Sequence, residues 1–322
     1  MEEALSTMML KDMMLDEQSV DLTKLDVALR DLWQRARAKC ESPEEPLSRA
    51  LTLNYIAVCN QADVAQHDEL LARVLMRHPC RAFLVTLDET CTDITGSVTA
   101  DIRQQGKGRV MVLERIAIRS SLQNIAKLPG LIRPLIVNDI PVHFFWGAPL
   151  PQNELRLLIL GELANQTIVD SSLFADPVRD MQRVQELPEP GQIQDLAWFR
   201  LAPWRRALAE AFETFEWQIE VPTTVTIVHG GCASACAALA RWLETKLSAH
   251  VVLSSSTRPA PVAEPLRLEL QHGNIHVAID HLVSQPLLRV QTTLLDVCML
   301  PFVRPASRGN QGDLLAAALD AG

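Results

Sequence analysis

The spacing of hydrophobic positions predicts a mixture of helix and strand in the first third of the chain. Leu and Trp side chains recur at helical spacing from Asp21 to Lys39, which is typical of an amphipathic helix. After a second helical segment, three strand-like segments follow at Arg81–Leu87, Ile94–Ile102 and Val110–Ile118. Because these three strands are consecutive in the sequence, we expect them to pair antiparallel.

The middle of the chain alternates short apolar runs with helical segments. Val142–Trp146 and Thr167–Asp170 are two such runs, and strands of this kind between helices indicate a parallel sheet that is covered on both faces. We therefore expect the two runs to be neighbouring strands at the centre of a sheet. The predicted fold class is α/β, with a mixed or parallel sheet, helices on both faces and a smaller C-terminal α/β unit.

The smaller unit is predicted to begin after Pro222. A strand at Thr224–Val228 leads through Gly230-Gly231 into an Ala-rich helix at Ala233–Leu247, and a hairpin turn is expected at His272-Gly273-Asn274. The predicted organisation is an N-terminal tail at 1–20, an α/β domain at 21–220, a smaller α/β domain at 221–303 and a C-terminal tail at 304–322.

Composition and charge narrow the functional classes. A chain of 322 residues favours two domains. The net charge of −9 argues against a nucleic-acid partner and against binding to anionic membranes. We find no uncharged apolar run of about 18 residues, the length that a membrane helix needs. The seven cysteines have no disulfide-framework spacing, so we expect reduced thiols and a cytoplasmic protein.

One stretch is unusually rich in tryptophan and arginine. Two of the six Trp and three of the Arg lie between Trp198 and Arg206. Pro203 suits the first turn of a helix, and Trp204 falls on the apolar face of that helix, where we expect core packing. Either the arginines pair with local carboxylates, or the stretch is a binding surface, since Trp and Arg dominate the energetic centres of interfaces. The candidate partner-binding residues are Trp198, Arg200, Arg205 and Arg206.

Outside this stretch, the sequence signals for ligand binding or reactive thiols are weak. The Gly230-Gly231 turn precedes a helix, and helix starts attract anions, but neither the dinucleotide nor the phosphate-loop pattern is present. Gly230 and Gly231 are therefore weak candidate anion-binding residues, with a tight structural turn as the alternative. Cys232 and Cys236 lie four residues apart at the same helix start, where small-residue packing is the alternative to thiol chemistry.

Other polar residues do not form a recognisable catalytic pattern. The histidines at 272, 276 and 281 lack a fourth convergent zinc ligand in the sequence, and no nucleophile-elbow motif surrounds Ser171 or Ser172. Glu114 lies within an apolar strand, either on a solvated face or as a paired buried acid. We expect no catalytic residue, no metal and no cofactor.

Five stretches match a family pattern in order and spacing. They are Ser48-Arg49-Ala50-Leu51-Thr52-Leu53-Asn54, His78-Pro79-Cys80-Arg81-Ala82, Ile140-Pro141-Val142-His143-Phe144-Phe145-Trp146, Thr167-Ile168-Val169-Asp170-Ser171 and Asp195-Leu196-Ala197-Trp198-Phe199-Arg200-Leu201-Ala202-Pro203-Trp204-Arg205. Together, over roughly Asp21 to His250, the chain resembles the OpcA family, the glucose-6-phosphate dehydrogenase assembly proteins of bacteria. The last stretch is similar to the family's Trp-x-Arg-Leu-x-Pro-Trp-Arg segment, and Glu114 matches an acidic position of the family.

The resemblance implies a protein that is not itself an enzyme. Such a protein binds glucose-6-phosphate dehydrogenase and promotes its assembly or activity, as an allosteric activator in the oxidative pentose phosphate pathway. The alternative from the residues alone is an α/β enzyme, or a sugar-phosphate or anion sensor, that uses the Gly230-Gly231 turn.

Overall fold

The chain forms two compact units. The first comprises residues 1–169 with 187–193 and 322, and the second comprises residues 170–186 with 194–321. The computed structural model describes residues 13–39, 47–48, 51–104, 110–153, 155–187, 192–213, 215, 221–231, 233–257, 264–306 and 310–321.

A ten-stranded sheet and four helices are described in the first part of the fold. The strands are β1 (Met13–Met14), β2 (Gln18–Val20), β3 (Leu47–Ser48), β4 (Leu53–Asn60), β5 (Cys80–Leu87), β6 (Thr95–Gln104), β7 (Val110–Ser120), β8 (Val142–Trp146), β9 (Gln166–Val169) and β10 (Gln192–Asp195). The helices are α1 (Leu25–Lys39), α2 (Val64–Arg77), α3 (Leu128–Ile132) and α4 (Leu155–Gly161).

The centre of this sheet is parallel, as the short apolar runs predict. The strand order is β1-β6-β7-β5-β4-β8-β9-β10, with β2 beside β6 and β3 beside β7. Strands β4, β8 and β9 pair in parallel, and every residue of β8 and β9 is buried. The expectation that Val142–Trp146 and Thr167–Asp170 are central neighbours is confirmed, although β9 ends at Val169.

The antiparallel pairing expected for the three consecutive strands is wrong for one pair. β7 lies between β5 and β6, antiparallel to β6 but parallel to β5. All eight residues of β5 are buried, so this strand needs neighbours on both sides. Parallel β4 and parallel β7 supply them, while β6 is left to form a hairpin with β7.

A buried acid ties α1 to this sheet. Glu114 on β7 is fully buried, and both Trp33 Nε1 and Arg81 Nε donate hydrogen bonds to its carboxylate. Arg81 also donates to the backbone carbonyl of Leu135. Of the two alternatives for Glu114, the paired buried acid is therefore the one observed, and its charge is compensated inside the core.

Gly147, just after β8, is expected to tolerate no side chain. A Cβ at this position would collide with the buried ring of His67 and lie 2.7 Å from Cε1 of Phe145. Overpacking of this kind costs about 1–3 kcal/mol, so Gly147→Ala should lower the thermal midpoint. Gly130→Ala is the matched control, because a Cβ there meets no atom within 4 Å. Equal midpoints for the two variants would contradict this account of the core.

The second unit contains seven described strands from β11 onward and five helices. The strands are β11 (Thr223–His229), β12 (His250–Ser255), β13 (Pro265–His272), β14 (Ile275–Leu282), β15 (Leu287–Leu294), β16 (Val297–Cys298) and β17 (Phe302–Pro305). The helices are α5 (Pro177–Gln185), α6 (Leu196–Arg200), α7 (Ala202–Phe212), α8 (Ala233–Leu247) and α9 (Gln311–Asp320).

The sheet of the second unit is mixed and carries the predicted hairpin. Its order is β12-β11-β13-β14-β15-β16, with β17 beside β15. β11 and β12 are parallel, and the remaining pairs are antiparallel. Gly273 turns between β13 and β14 with a φ of 57°, in the left-handed region that favours glycine. The α/β fold class with a second, smaller unit is confirmed.

The boundary between the units differs from the one predicted at residue 220. Trp204 and Leu208 on α7 share a core with Val225 and Ile227 on β11, so residues 194–220 are grouped with the second unit. The segment 304–322 is also more than a tail, because β17 pairs with β15 and Leu315 on α9 is fully buried.

None of the helices among the described residues combines the length and the hydrophobicity that crossing a membrane would need.

Candidate functional site

The stretch rich in tryptophan and arginine begins at a capped helix start. Asp195 precedes α6, and its Oδ1 accepts hydrogen bonds from the backbone N–H groups of Ala197 and Ser171, both at 3.0 Å. This side chain satisfies a donor that a helix start leaves unpaired. Burial raises the pKa of the Asp195 carboxyl above its ordinary value.

Arg200 is held inside the unit by Asp170. Its Nη1 and Nη2 donate to Oδ1 and Oδ2 of Asp170 at 2.8 and 2.6 Å, the bidentate geometry of a strong Arg–carboxylate pair. Gln311 Nε2 donates to Oδ2 at 2.8 Å and Ser172 Oγ donates to Oδ1 at 2.6 Å. Burial alone would raise the pKa of Asp170, but the hydrogen bonds and charge of Arg200 outweigh it, so the pKa is lowered.

This pairing changes the expectation for Arg200. Arg200 is 8% exposed and Asp170 is 1% exposed, so the guanidinium is enclosed and used internally. Within this unit Arg200 positions α6 through Asp170, and its role as a partner contact stays a prediction that the observed pairing does not favour. The partner, Asp170, comes 30 residues earlier in the chain, and no sequence motif links the two positions.

Trp204 is a core residue, as its helical position predicts. α7 begins at Ala202 with Pro203 in its first turn, and the Trp204 side chain is fully buried. Its Nε1 donates to Oε2 of Glu264 at 3.2 Å, and its ring meets His281 edge-on with centroids 6.4 Å apart. The indole therefore fills the core while its N–H has a partner, as buried tryptophans require.

Arg205 and Trp198 form a stacked pair on the same segment. The Cζ atom of Arg205 lies 3.8 Å from the centroid of the Trp198 ring, well within the range of a cation–π interaction. Trp198 in turn meets Trp242 of α8 edge-on, with centroids 6.2 Å apart. All three side chains are half-buried. Burial and the neighbouring charge of Arg206 lower the pKa of Arg205.

Arg206 is exposed beside this pair. Glu210 lies one helical turn after Arg206, a spacing at which the two side chains could pair. The Oε2 atom of Glu210 instead accepts a hydrogen bond from Arg304 Nε of β17 at 2.5 Å. We refer to the group formed by Trp198, Arg205, Arg206 and Trp242 as the Trp–Arg surface. It presents aromatic area and two positive charges, and the candidate contacts Trp198, Arg205 and Arg206 are brought together on it.

The Gly230-Gly231 turn lies between β11 and α8, as predicted. Gly231 has a φ of 116°, which an L side chain rarely adopts, so the glycine is required by the backbone. The Gly231 N–H lies 3.4 Å from Nδ1 of His229. Cys232 lies outside the described residues, and Cys236 is buried. Anion binding at Gly230 and Gly231 stays a prediction.

The histidines of the hairpin have separate surroundings. His272 Nδ1 lies 2.9 Å from the hydroxyl of Thr223, whereas His281 packs against Trp204. Within the described ranges, no group of three His, Cys, Asp or Glu side chains is arranged to hold a metal ion.

Comparisons with known proteins give the same assignment along most of the chain. A model of the OpcA family, described as the glucose-6-phosphate dehydrogenase subunit N-terminal domain, matches residues 72–186. A second, described as the C-terminal domain of that subunit, matches residues 191–321.

Solved structures with a similar arrangement are distant. An aldose-aldose oxidoreductase from Caulobacter crescentus is 11% identical, with 82% of this chain and 87% of that chain covered and a TM-score of 0.43. The transcriptional regulator Gal80p from Kluyveromyces lactis is 10% identical, with 91% and 86% covered and a TM-score of 0.43. Neither similarity informs function.

Curated relatives match part of the chain. The OxPP cycle protein OpcA of Nostoc punctiforme is 26% identical over 232 residues, which cover 70% of this chain and 47% of the relative. That of Synechocystis is 34% identical over 143 residues, which cover 42% and 30%. The chain spans about half the length of the Nostoc relative. With two family models that match it in sequence order, the chain belongs to the OpcA family.

Proposed function

We propose that this chain is a non-catalytic partner of glucose-6-phosphate dehydrogenase that promotes the assembly or activity of the enzyme. The observation that carries the proposal is the pair of family models, both described as domains of a glucose-6-phosphate dehydrogenase subunit, that match residues 72–186 and 191–321. The curated relatives are named for the OxPP cycle, the oxidative pentose phosphate pathway to which this dehydrogenase belongs.

Two of the described thiols, Cys59 and Cys80, are unsuited to nucleophilic catalysis. Cys59 and Cys80 are buried in the parallel sheet. Burial raises the pKa of Cys59 to about 12 and raises that of Cys80 as well. A thiol attacks as the thiolate, so both groups are held in the unreactive form at neutral pH. The free state of the described cysteines also fits a cytoplasmic location.

The Trp–Arg surface supports the partner role. Its two tryptophans are half-buried and fixed by ring contacts, so little side-chain entropy remains to be lost on binding. Its arginines at 205 and 206 supply positive charge on a chain whose net charge is −9. Aromatic residues and arginine of this kind dominate the binding energy of interfaces, and we propose Trp198, Arg205 and Arg206 as contacts.

An activator of this type works through a difference in affinity. A protein that binds the competent and incompetent states of an enzyme equally shifts neither population. We therefore propose that the chain binds the active oligomer of the dehydrogenase more tightly than its other forms.

The purified chain alone is expected to oxidise no sugar phosphate. Added to its cognate dehydrogenase, it should change the turnover number, the KM for glucose 6-phosphate or the oligomer distribution, with saturation at a fixed molar ratio because the complex is stoichiometric. The measurement is a steady-state titration, and heat-unfolded chain is the control. A titration that leaves all three quantities unchanged would overturn the proposed function.

A further inference from the structure

Arg205 differs from the other arginines of the second unit in how its charge is compensated. The arginines at 183, 200, 267, 289 and 304 each form an ion pair with Asp or Glu. Among the described arginines of the second unit that lack such an ion pair, 179, 206 and 241 are exposed, and Arg205 alone is half-buried. The second unit therefore holds one partly desolvated guanidinium that has no carboxylate partner among the described residues.

The surroundings of Arg205 leave its charge incompletely satisfied. Its Nε is buried and has no hydrogen-bond partner among the described residues. Trp198 covers one face of the guanidinium but supplies no hydrogen-bond acceptor, and Arg206 adds a second positive charge. Burying a charged group is costly unless it is paired and hydrogen-bonded. An anion that pairs with the terminal N–H groups of Arg205 would compensate its charge, although the enclosed Nε itself stays out of reach.

Resting on the proposed function, we infer that Arg205 receives the carboxylate of an Asp or Glu side chain of the dehydrogenase, with Arg206 as the second cation of the site. Because Trp198 stacks on one face of the guanidinium, the carboxylate approaches along its edge. That edge offers two parallel N–H donors, which match the two oxygens of a carboxylate. This chain would thus recognise an acidic side chain of the partner through a guanidinium that is flanked by aromatic rings.

The start of α7 does not offer the donors that a free anion would need. Pro203 has no N–H, and the N–H of Arg205 already donates to the carbonyl of Leu201 at 3.0 Å. Leu201, at the cap position, provides no side-chain hydrogen bond. A small anion is usually enclosed by several converging N–H groups, whereas an acidic side chain of a partner brings its own flanking contacts. The observations therefore favour a protein carboxylate.

The test is the affinity of the full chain for its cognate dehydrogenase, measured by calorimetry for the unmodified chain and three variants. Arg205→Gln should weaken binding by at least about 30-fold, because it leaves the partner carboxylate buried without its charge pair. Arg205→Lys should recover part of this loss, since an ammonium keeps the charge but has neither the planar fork nor the stacking. Arg241→Gln is the matched control and should change the affinity by less than about 2-fold, because Arg241 is exposed and hydrogen-bonds to Gln185.

Salt dependence is the second measurement. The affinity of the unmodified chain should fall as sodium chloride is raised, because salt screens the attraction between the two charged groups while they are still solvated and apart, and the slope should be smaller for Arg205→Gln. Unchanged affinity of a folded Arg205→Gln variant, or binding of the unmodified chain that is insensitive to salt, would overturn this inference and leave the proposed function intact. If the unmodified chain fails to bind, both are overturned.

Inorganic phosphate distinguishes a free-anion site. If millimolar phosphate raises the thermal midpoint of the unmodified chain, and Arg205→Gln abolishes that shift, the site is one for small anions and the inference is wrong. We expect phosphate to leave both midpoints unchanged. Should Arg205→Gln fail to fold, Arg205→Lys and the salt slope of the unmodified chain decide the question.

Discussion

Trp204→Ala is expected to lower the free energy of unfolding of the second unit by about 3–5 kcal/mol, the range for truncating a large buried aromatic residue. The side chain is fully buried between α7 and the β-sheet core that includes Val225 and Ile227, so its removal leaves a cavity. A loss of this size is a large share of the stability of an ordinary domain, which totals about 5–15 kcal/mol. Chemical denaturation followed by circular dichroism measures it.

Trp204→Phe is the control for this prediction. It keeps an aromatic ring in the core and removes the N–H that donates to Glu264, so its effect should be less than half that of Trp204→Ala. If Trp204→Ala unfolds at the same denaturant concentration as the unmodified chain, then α7 is not part of the core, and the placement of the Trp–Arg surface fails with it.

Asp170→Ala is expected to cost about 3–5 kcal/mol, because removing one partner of a buried ion pair leaves the other charge uncompensated. Arg200 makes a bidentate pair with Asp170, and both side chains are buried. Asp26→Ala, which breaks the exposed Asp26–Arg30 pair of α1, should cost about 0.5 kcal/mol or less. If urea denaturation shows that the two variants lose the same free energy of unfolding, the buried pair does not have the stabilising role described here.

A double variant separates the cost of the orphaned charge from the value of the pair. Asp170→Ala combined with Arg200→Met should be more stable than Asp170→Ala alone, because apolar groups can replace a buried ion pair at little cost. The pKa of Asp170 is lowered in the folded chain. Its contribution is therefore complete above the pKa of an unfolded Asp, about 3.9, and is lost as the pH falls below that value towards the folded pKa. The double variant should lose this part of the acid sensitivity.

The local pattern of apolar residues was sufficient to predict the strands that are buried on both faces. Val142–Trp146 is apolar enough to specify a central strand, and Pro203 marks a helix start because its fixed φ is already helical. The order of the strands in the sheet could not be predicted from this local pattern. β7 lies between β5 and β6 because the fully buried β5 needs two neighbours. The order of the strands in the sequence does not show whether β6 or β7 will pair with β5.

Side-chain burial at the candidate site also depends on residues that are distant in the chain. Three arginines of one short stretch are indistinguishable by residue type, but their surroundings differ. Arg200 is enclosed by Asp170, Arg205 stacks on Trp198 and Arg206 is exposed. The pairing of Arg200 with Asp170 could not be predicted, because Asp170 follows another strand and no periodic signal links the two positions. The observed grouping of residues 194–220 differs from the predicted boundary at 220 for a related reason, since α7 packs on strands that come later in the sequence.

The central claim is that this chain forms a stoichiometric complex with glucose-6-phosphate dehydrogenase. Size-exclusion chromatography with light scattering, run on the chain, on its cognate dehydrogenase and on their mixture, measures it most directly. We predict a new species in the mixture, with a mass equal to that of a dehydrogenase oligomer plus bound copies of this chain, and less of that species when Arg205→Gln replaces the unmodified chain. Two unchanged peaks at the masses of the separate proteins, under conditions where both are folded, would contradict the claim.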